Sequence, residues 1–158
     1  MKLNTDAIDR KGYFDPRYTC DYDNSSPELR WEEPPEGTRG FALTAEDPDS
    51  PKGTFTHWIV YNIPPSIHHL PAGVPAQETL PNGIRQGING FGKLGYAGPC
   101  PPYGHGAHRY IFRIHALSEL PEIPPRATSE QVLAAISPWI LASTDVLGFY
   151  QRSVQKAG

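Results

Sequence analysis

The chain has 158 residues, a length that carries one ordinary hydrophobic core and leaves no room for two. Its 15 glycines and 18 prolines exclude a helical bundle or coiled coil, because each internal proline removes a backbone donor and clashes with the preceding turn. With 14 Lys and Arg against 17 Asp and Glu, the formal charge of −3 builds no phosphate-tracking surface for nucleic acid, and no apolar run is long enough for stable membrane insertion.

Residues 1–158 read as a single domain. The opening Met1-Lys2-Leu3-Asn4-Thr5-Asp6 lacks the apolar core of a signal peptide, so a cytoplasmic location is expected. Residues 1–34 are polar and aromatic, with turn chemistry at Asp15-Pro16 and Asp21–Asn24. Phe41–Thr44 predicts a strand, and Trp58–Ile63 predicts a buried one that stops at Pro64-Pro65. Residues 64–83 are punctuated by Pro and Gly and predict a long loop. Residues 87–106 hold seven glycines and predict a functional loop, too long for a passive connection.

His108–Leu117 predicts the best strand. Tyr110, Phe112, Ile114 and Ala116 lie on one face, and Arg109, Ile111, Arg113, His115 and Leu117 on the other. Thr128 and Gln131 form a capping-box pattern before an apolar stripe of Val132, Leu133, Ile136 and Ile140, and Pro138 kinks or ends that helix. The segment Ala142–Tyr150 suits either helix or strand. Short strands with close-set turns and one late helix predict a mostly-β antiparallel sandwich with a small C-terminal helical element.

Two clusters carry candidate chemistry. Asp47-Pro48-Asp49-Ser50-Pro51 sets two carboxylates on a stiff turn ahead of His57, which leads into the Trp58 strand. Gly98-Pro99-Cys100-Pro101-Pro102-Tyr103-Gly104-His105-Gly106-Ala107-His108 is a stiff Pro/Gly loop that delivers two histidines, His105 and His108, into the strongest strand. On neighbouring strands, His57 and His108 would form a small anion site, with Asp47 or Asp49 orienting a ring. Arg109 points to the opposite face and reads as a structural hydrogen-bonder. Gly90-Phe91-Gly92-Lys93-Leu94-Gly95 matches a dinucleotide fingerprint, but no strong strand precedes it and no helix follows. Cys20, Cys100, His105 and His108 have a spacing that could hold zinc, yet the chain lacks any C-x-x-C or H-E-x-x-H motif; no metal or other cofactor is expected. A single Cys20–Cys100 bridge and a free pair both remain open.

The ordered motifs Asp47–Pro51, His57-Trp58-Ile59-Val60-Tyr61-Asn62 and Gly98–Pro102 through His108-Arg109-Tyr110 resemble the signatures of the phosphatidylethanolamine-binding protein family. Tyr18-Thr19-Cys20-Asp21 and Ser26–Trp31 resemble its bacterial and archaeal branch, which is described as Raf-kinase-inhibitor-like. The similarity spans roughly residues 1–152. It implies an antiparallel β-sandwich with a Greek-key core. It also implies a small pocket for anions such as phosphate, acetate or a phosphoethanolamine head group. By position, Asp47, Asp49, His57, His108 and Tyr110 match pocket residues. Cys100-Pro101 falls where the family has a cis peptide at the rim, with Pro102 beside it. Cys100 stands where eukaryotic members often have glycine, and Phe55 where they have tryptophan.

The expected function is that of a non-enzymatic binding protein for a small anion. Its alternatives are a hydrolase working through His57 or His108, in a zinc-free or zinc-dependent form, and an inhibitor that meets a kinase or protease through its rim loops. A homodimer is compatible with the resemblance.

Overall fold

The computed structural model describes residues 1–153. Its strands are β1 (Lys2–Asn4), β2 (Leu29–Glu32), β3 (Gly40–Asp47), β4 (Phe55–Ile63), β5 (His69–Leu70), β6 (Arg85–Gln86), β7 (His108–Leu117) and β8 (Ile140–Tyr150), with one α-helix, α1 (Ser129–Ile136). The strands form two antiparallel sheets, a small one in the order β1-β2-β5 and a larger one in the order β6-β4-β3-β7-β8. Within the large sheet, β3, β4 and β6 come in sequence, and β7 returns to lie beside β3. That 4-1-2-3 order is a Greek key, and its long return connection is the Gly/Pro-rich stretch between β6 and β7.

Burial on both faces of the large sheet explains why β3 and β4 read as apolar runs and not as alternating patterns. One face packs Phe41, Leu43, Trp58, Val60, Tyr110, Phe112 and Ile114 against Leu3, Leu29, Trp31 and Leu70 of the small sheet. The other face seats Ala42, Ile59, Tyr61 and Leu117 beneath Val132 and Ile136 of α1. The alternation expected along β7 holds: Tyr110, Phe112, Ile114 and Ala116 all enter the inter-sheet core.

The helix starts at the predicted box, with Gln131 N–H donating to Thr128 Oγ1 at 3.3 Å and Thr128 N–H donating to Gln131 Oε1 at 3.0 Å. It ends at Ile136; Pro138 sits in a following 3-10 turn, so Ile140 belongs to β8 and not to the helical stripe. The ambiguous segment after Ala142 is strand, because β8 finds an antiparallel partner along the whole of β7. Strands β1, β2 and β5 fall in segments read as irregular. They are short, and pairing with one another makes them strands where propensity does not. Buried Gln86 anchors the loop after β5 by donating to the carbonyls of Pro75 (2.7 Å) and Gln77 (2.9 Å), while it accepts from Trp58 Nε1 at 2.7 Å.

Candidate functional site

Antiparallel pairing of β3 with both β4 and β7 brings the end of β3 beside the starts of the other two strands. Asp47, His57, His108 and Tyr110 therefore meet at one edge of the sheet, although up to 63 positions separate them in the chain. They line a cavity of about 200 Å³ together with Cys100, Pro101 and Pro102 of the Greek-key connection. Seven of the eight expected site residues are thus brought together.

Asp49 is not among the lining residues. Its Oδ1 accepts from Arg109 Nη2 at 2.8 Å, and its Oδ2 accepts from Arg109 Nε (3.0 Å) and from the Arg109 backbone N–H (2.9 Å). The guanidinium holds the Asp49 carboxyl down to about 2. Asp49 thus ties the acidic turn to β7, and Arg109 is the structural hydrogen-bonder that its outward face implied.

Asp47 uses both oxygens inward. Oδ1 accepts from the Asp49 N–H at 2.7 Å, an Asx turn that sets the bend, and Oδ2 meets His108 Nδ1 at 2.7 Å. The two side chains are only 5% and 4% exposed. An ionised carboxylate is acceptor-only, so Nδ1 of His108 carries the proton. Its other nitrogen, Nε2, meets Nδ1 of His105 at 2.6 Å. Two nitrogens at that distance share one proton. In the neutral chain, His105 Nδ1–H donates to His108 Nε2, and His108 Nδ1–H donates to Asp47.

His57 donates through Nδ1 to the Ala97 carbonyl at 2.6 Å. Burial pulls its pKa below the ordinary histidine value, against the raising effect of that carbonyl and of the Asp47 charge. Burial and the nearby Asp47 carboxylate also push the Tyr110 phenol up, so it stays protonated. The His57 ring stands edge-on to Tyr110, with centroids 5.3 Å apart.

Aromatic groups that sequence reasoning missed close the cavity. Phe91, 56% exposed between Gly90 and Gly92, packs its ring 4.7 Å from that of Phe55, and both line the site. A Cβ at Gly90 would lie 2.5 Å from the Phe55 ring, so the glycine that suggested a nucleotide fingerprint is there for close packing. His105, one of the two histidines the loop delivers, meets His108 and not a metal set. The signal that could have placed it is its spacing three residues before His108, with glycines on either side.

The rim is held from behind. Cys20 and Cys100 form a disulfide across 80 positions of sequence, which removes both thiols from the four-residue zinc set. Arg152 stacks on Tyr103 at 3.8 Å and accepts from the Gly104 N–H at 3.0 Å through its carbonyl. No cis peptide occurs among the described residues, so the Cys100–Pro101 bond is trans where the resemblance implied cis. Trans is the ordinary preference of an X–Pro bond, by about 0.5–1 kcal/mol.

The family model for phosphatidylethanolamine-binding proteins matches residues 4–151. The chain belongs to that family. Its relatives include a UPF0098 protein of Aquifex aeolicus, 48% identical over 136 residues, which cover 85% of this chain and 79% of the relative. A UPF0098 protein of Methanothermobacter thermautotrophicus is 43% identical over 152 residues, covering 96% of this chain and 99% of the relative. Among solved structures, Escherichia coli YbcL, described as a member of the mammalian PEBP family, superposes with a TM-score of 0.86 at 31% identity. That match covers 95% of this chain and 97% of YbcL. The PEBP homologue CT736 of Chlamydia trachomatis gives 0.84 at 31% identity, covering 96% and 97%. Among the described residues, no helix of this family member is long and apolar enough to cross a membrane.

Proposed function

We propose that this member of the family is a binding protein whose cavity takes one small anionic group of phosphate or carboxylate type, free or as a head group. What carries the reading is the convergence of His57, His108 and Tyr110 with Asp47 on a single cavity behind a proline rim. At about 200 Å³ the cavity is below the roughly 300–1,000 Å³ of sites for drug-sized ligands, so it suits one head group and not a whole molecule. The rim is stiff before any guest arrives, so little loop ordering is lost on binding.

The charge balance sets a condition. Asp47 brings one negative charge into the site, and burial disfavours the charged form of His57. An anion supplies the opposite charge that burial denies an imidazolium, so guest and proton enter together. Affinity therefore rises as pH falls. The test is titration with inorganic phosphate and with phosphoethanolamine, at about pH 6 and about pH 8, followed through the histidine ring resonances. The reading expects the His57 and His108 signals to move, more at the lower pH. It fails if neither moves at either pH. A preference for phosphoethanolamine over phosphate assigns the guest to head groups, and equal binding assigns it to free phosphate.

A further inference from the structure

The row Asp47–His108–His105 extends the cavity wall outward to an exposed imidazole. Its contacts of 2.7 and 2.6 Å join a buried carboxylate, a buried base and a solvent-facing ring. A base held by an orienting carboxylate, within hydrogen-bond reach of a nucleophile's proton, is the arrangement that activates weak nucleophiles. Here the group at the nucleophile's place is a second histidine. Its Nδ1 faces inward, which leaves the Nε2 lone pair of the neutral ring outward.

His105 is seated and not loose. Gly104 and Gly106 on either side take φ of 71° and 84°. The His105 N–H donates to the Pro102 carbonyl at 3.2 Å, and Arg152 pins Tyr103 and Gly104. Positive φ at both flanking positions suits glycine, and it turns the intervening side chain back onto His108.

We infer that His105 is a phosphoryl-acceptor histidine, modified at Nε2 by small energy-rich donors of the acyl phosphate or phosphoramidate class. The Nε2 lone pair attacks phosphorus. The bond from phosphorus to the donor's leaving group breaks, and its electron pair departs with that group as carboxylate or, after protonation, ammonia. The Nδ1 proton of His105 passes to Nε2 of His108, and the Asp47 carboxylate holds the resulting imidazolium. The contact between the rings survives in the opposite sense, with His108 now donating. Phosphoryl suits the row better than a neutral acyl group, because the dianion on His105 then faces the stored positive charge on His108. The inference does not depend on what the cavity binds.

The test is incubation of the full chain with phosphoramidate or acetyl phosphate at neutral pH. Phosphorus NMR and peptide mapping without acid would follow the adduct. His68 is the internal reference: it is also exposed, but its Nε2 meets only the Pro65 carbonyl, at 2.9 Å. The row should make His105 react at least about a hundredfold faster than His68, the lower part of what a positioned base contributes. H105Q should abolish the fast uptake, and D47N, where it folds, should slow it to the His68 rate. Equal rates at His105 and His68 in the unsubstituted protein overturn the inference, whatever the variants do. So does undiminished uptake by H105Q. Cavity binding is read separately at His57, so the failure of one idea does not mask the other.

Discussion

Replacing Asp47 with Asn tests the proton order in the site without changing its shape. Both Asp47 oxygens accept, one from the Asp49 N–H and one from His108 Nδ1–H, each at 2.7 Å. Asparagine keeps one acceptor and replaces the other with a donor. If its oxygen keeps the Asx turn, its NH₂ faces His108 Nδ1, and two donors cannot meet there. The remedy is to reverse the row. His108 moves its proton to Nε2 and donates to His105 Nδ1, and His105 carries its own proton on Nε2. No heavy atom need move. Two hydrogen bonds to a charged group, about 1.5–3 kcal/mol each, are exchanged for two neutral ones of about 0.5–1.5 kcal/mol each, so D47N should cost about 2.5 kcal/mol. Without the reversal, an unrelieved donor clash in this buried position would cost about 3–5 kcal/mol, as when one partner of a buried pair is lost. Urea unfolding measures the cost, and long-range nitrogen–proton correlation reads the tautomers directly. A folded variant in which His108 keeps its proton on Nδ1, or one destabilised by more than about 3 kcal/mol, would refute the reversal.

Two further outcomes follow from groups outside the cavity. Burial, and then the Arg113 charge, push the His115 pKa down to about 4. The unfolded chain binds that proton near pH 6.5, so stability is complete above that value and is lost as pH falls towards 4; the shift corresponds to about 3 kcal/mol. His57 shifts in the same direction and adds to the loss, whereas the carboxyl of Asp49, held at about 2, weakens the fold only in a lower pH range. Urea midpoints between about pH 7 and pH 4.5 should fall steeply, and H115Q should flatten the slope; a flat profile in the unsubstituted protein contradicts the assignment. The Cys20–Cys100 bridge closes a loop across 80 positions, for which chain entropy alone is worth about 4.5 kcal/mol. Reduction, or C20S, should lower stability by up to that amount, read as the urea midpoint with and without reductant. No change on reduction would mean that the pairing is absent in solution.

The large sheet was legible because its signals are local. His108–Arg113 alternates before the strand runs into buried residues on both faces, Trp58–Ile63 is mostly apolar on both sides, and Thr128 with Gln131 announces the helix start within four residues. The small sheet was not legible. Lys2–Asn4, Leu29–Glu32 and His69–Leu70 are too short to show a period, and each becomes strand only by pairing with segments far away in the chain. The segment after Ala142 was undecided for a related reason. An edge strand exposed along much of its length carries little apolar patterning, and the long antiparallel partner decides its state.

The cavity residues were legible by type, but their division of labour was not. Asp47 and Asp49 stand two apart on one stiff turn, and nothing in that spacing says which faces inward. The answer lies in Arg109, which claims both oxygens of Asp49 because its side chain leaves β7 on the face opposite to His108. The glycines of residues 87–106 looked like freedom of movement, yet several mark close approach. A Cβ at Gly98 would stand 2.2 Å from the Tyr18 carbonyl oxygen, and one at Gly87 would stand 2.5 Å from that of Ala127. In a Greek-key return the chain must cross over the end of the sheet, so its backbone presses on other backbone where a side chain would intrude. The same crossing lays Cys100 against Cys20 and Phe91 against Phe55. It also sets the rim beside three strand ends far apart in sequence, which is why the rim and the acidic turn could be read separately while the row through His105 could not.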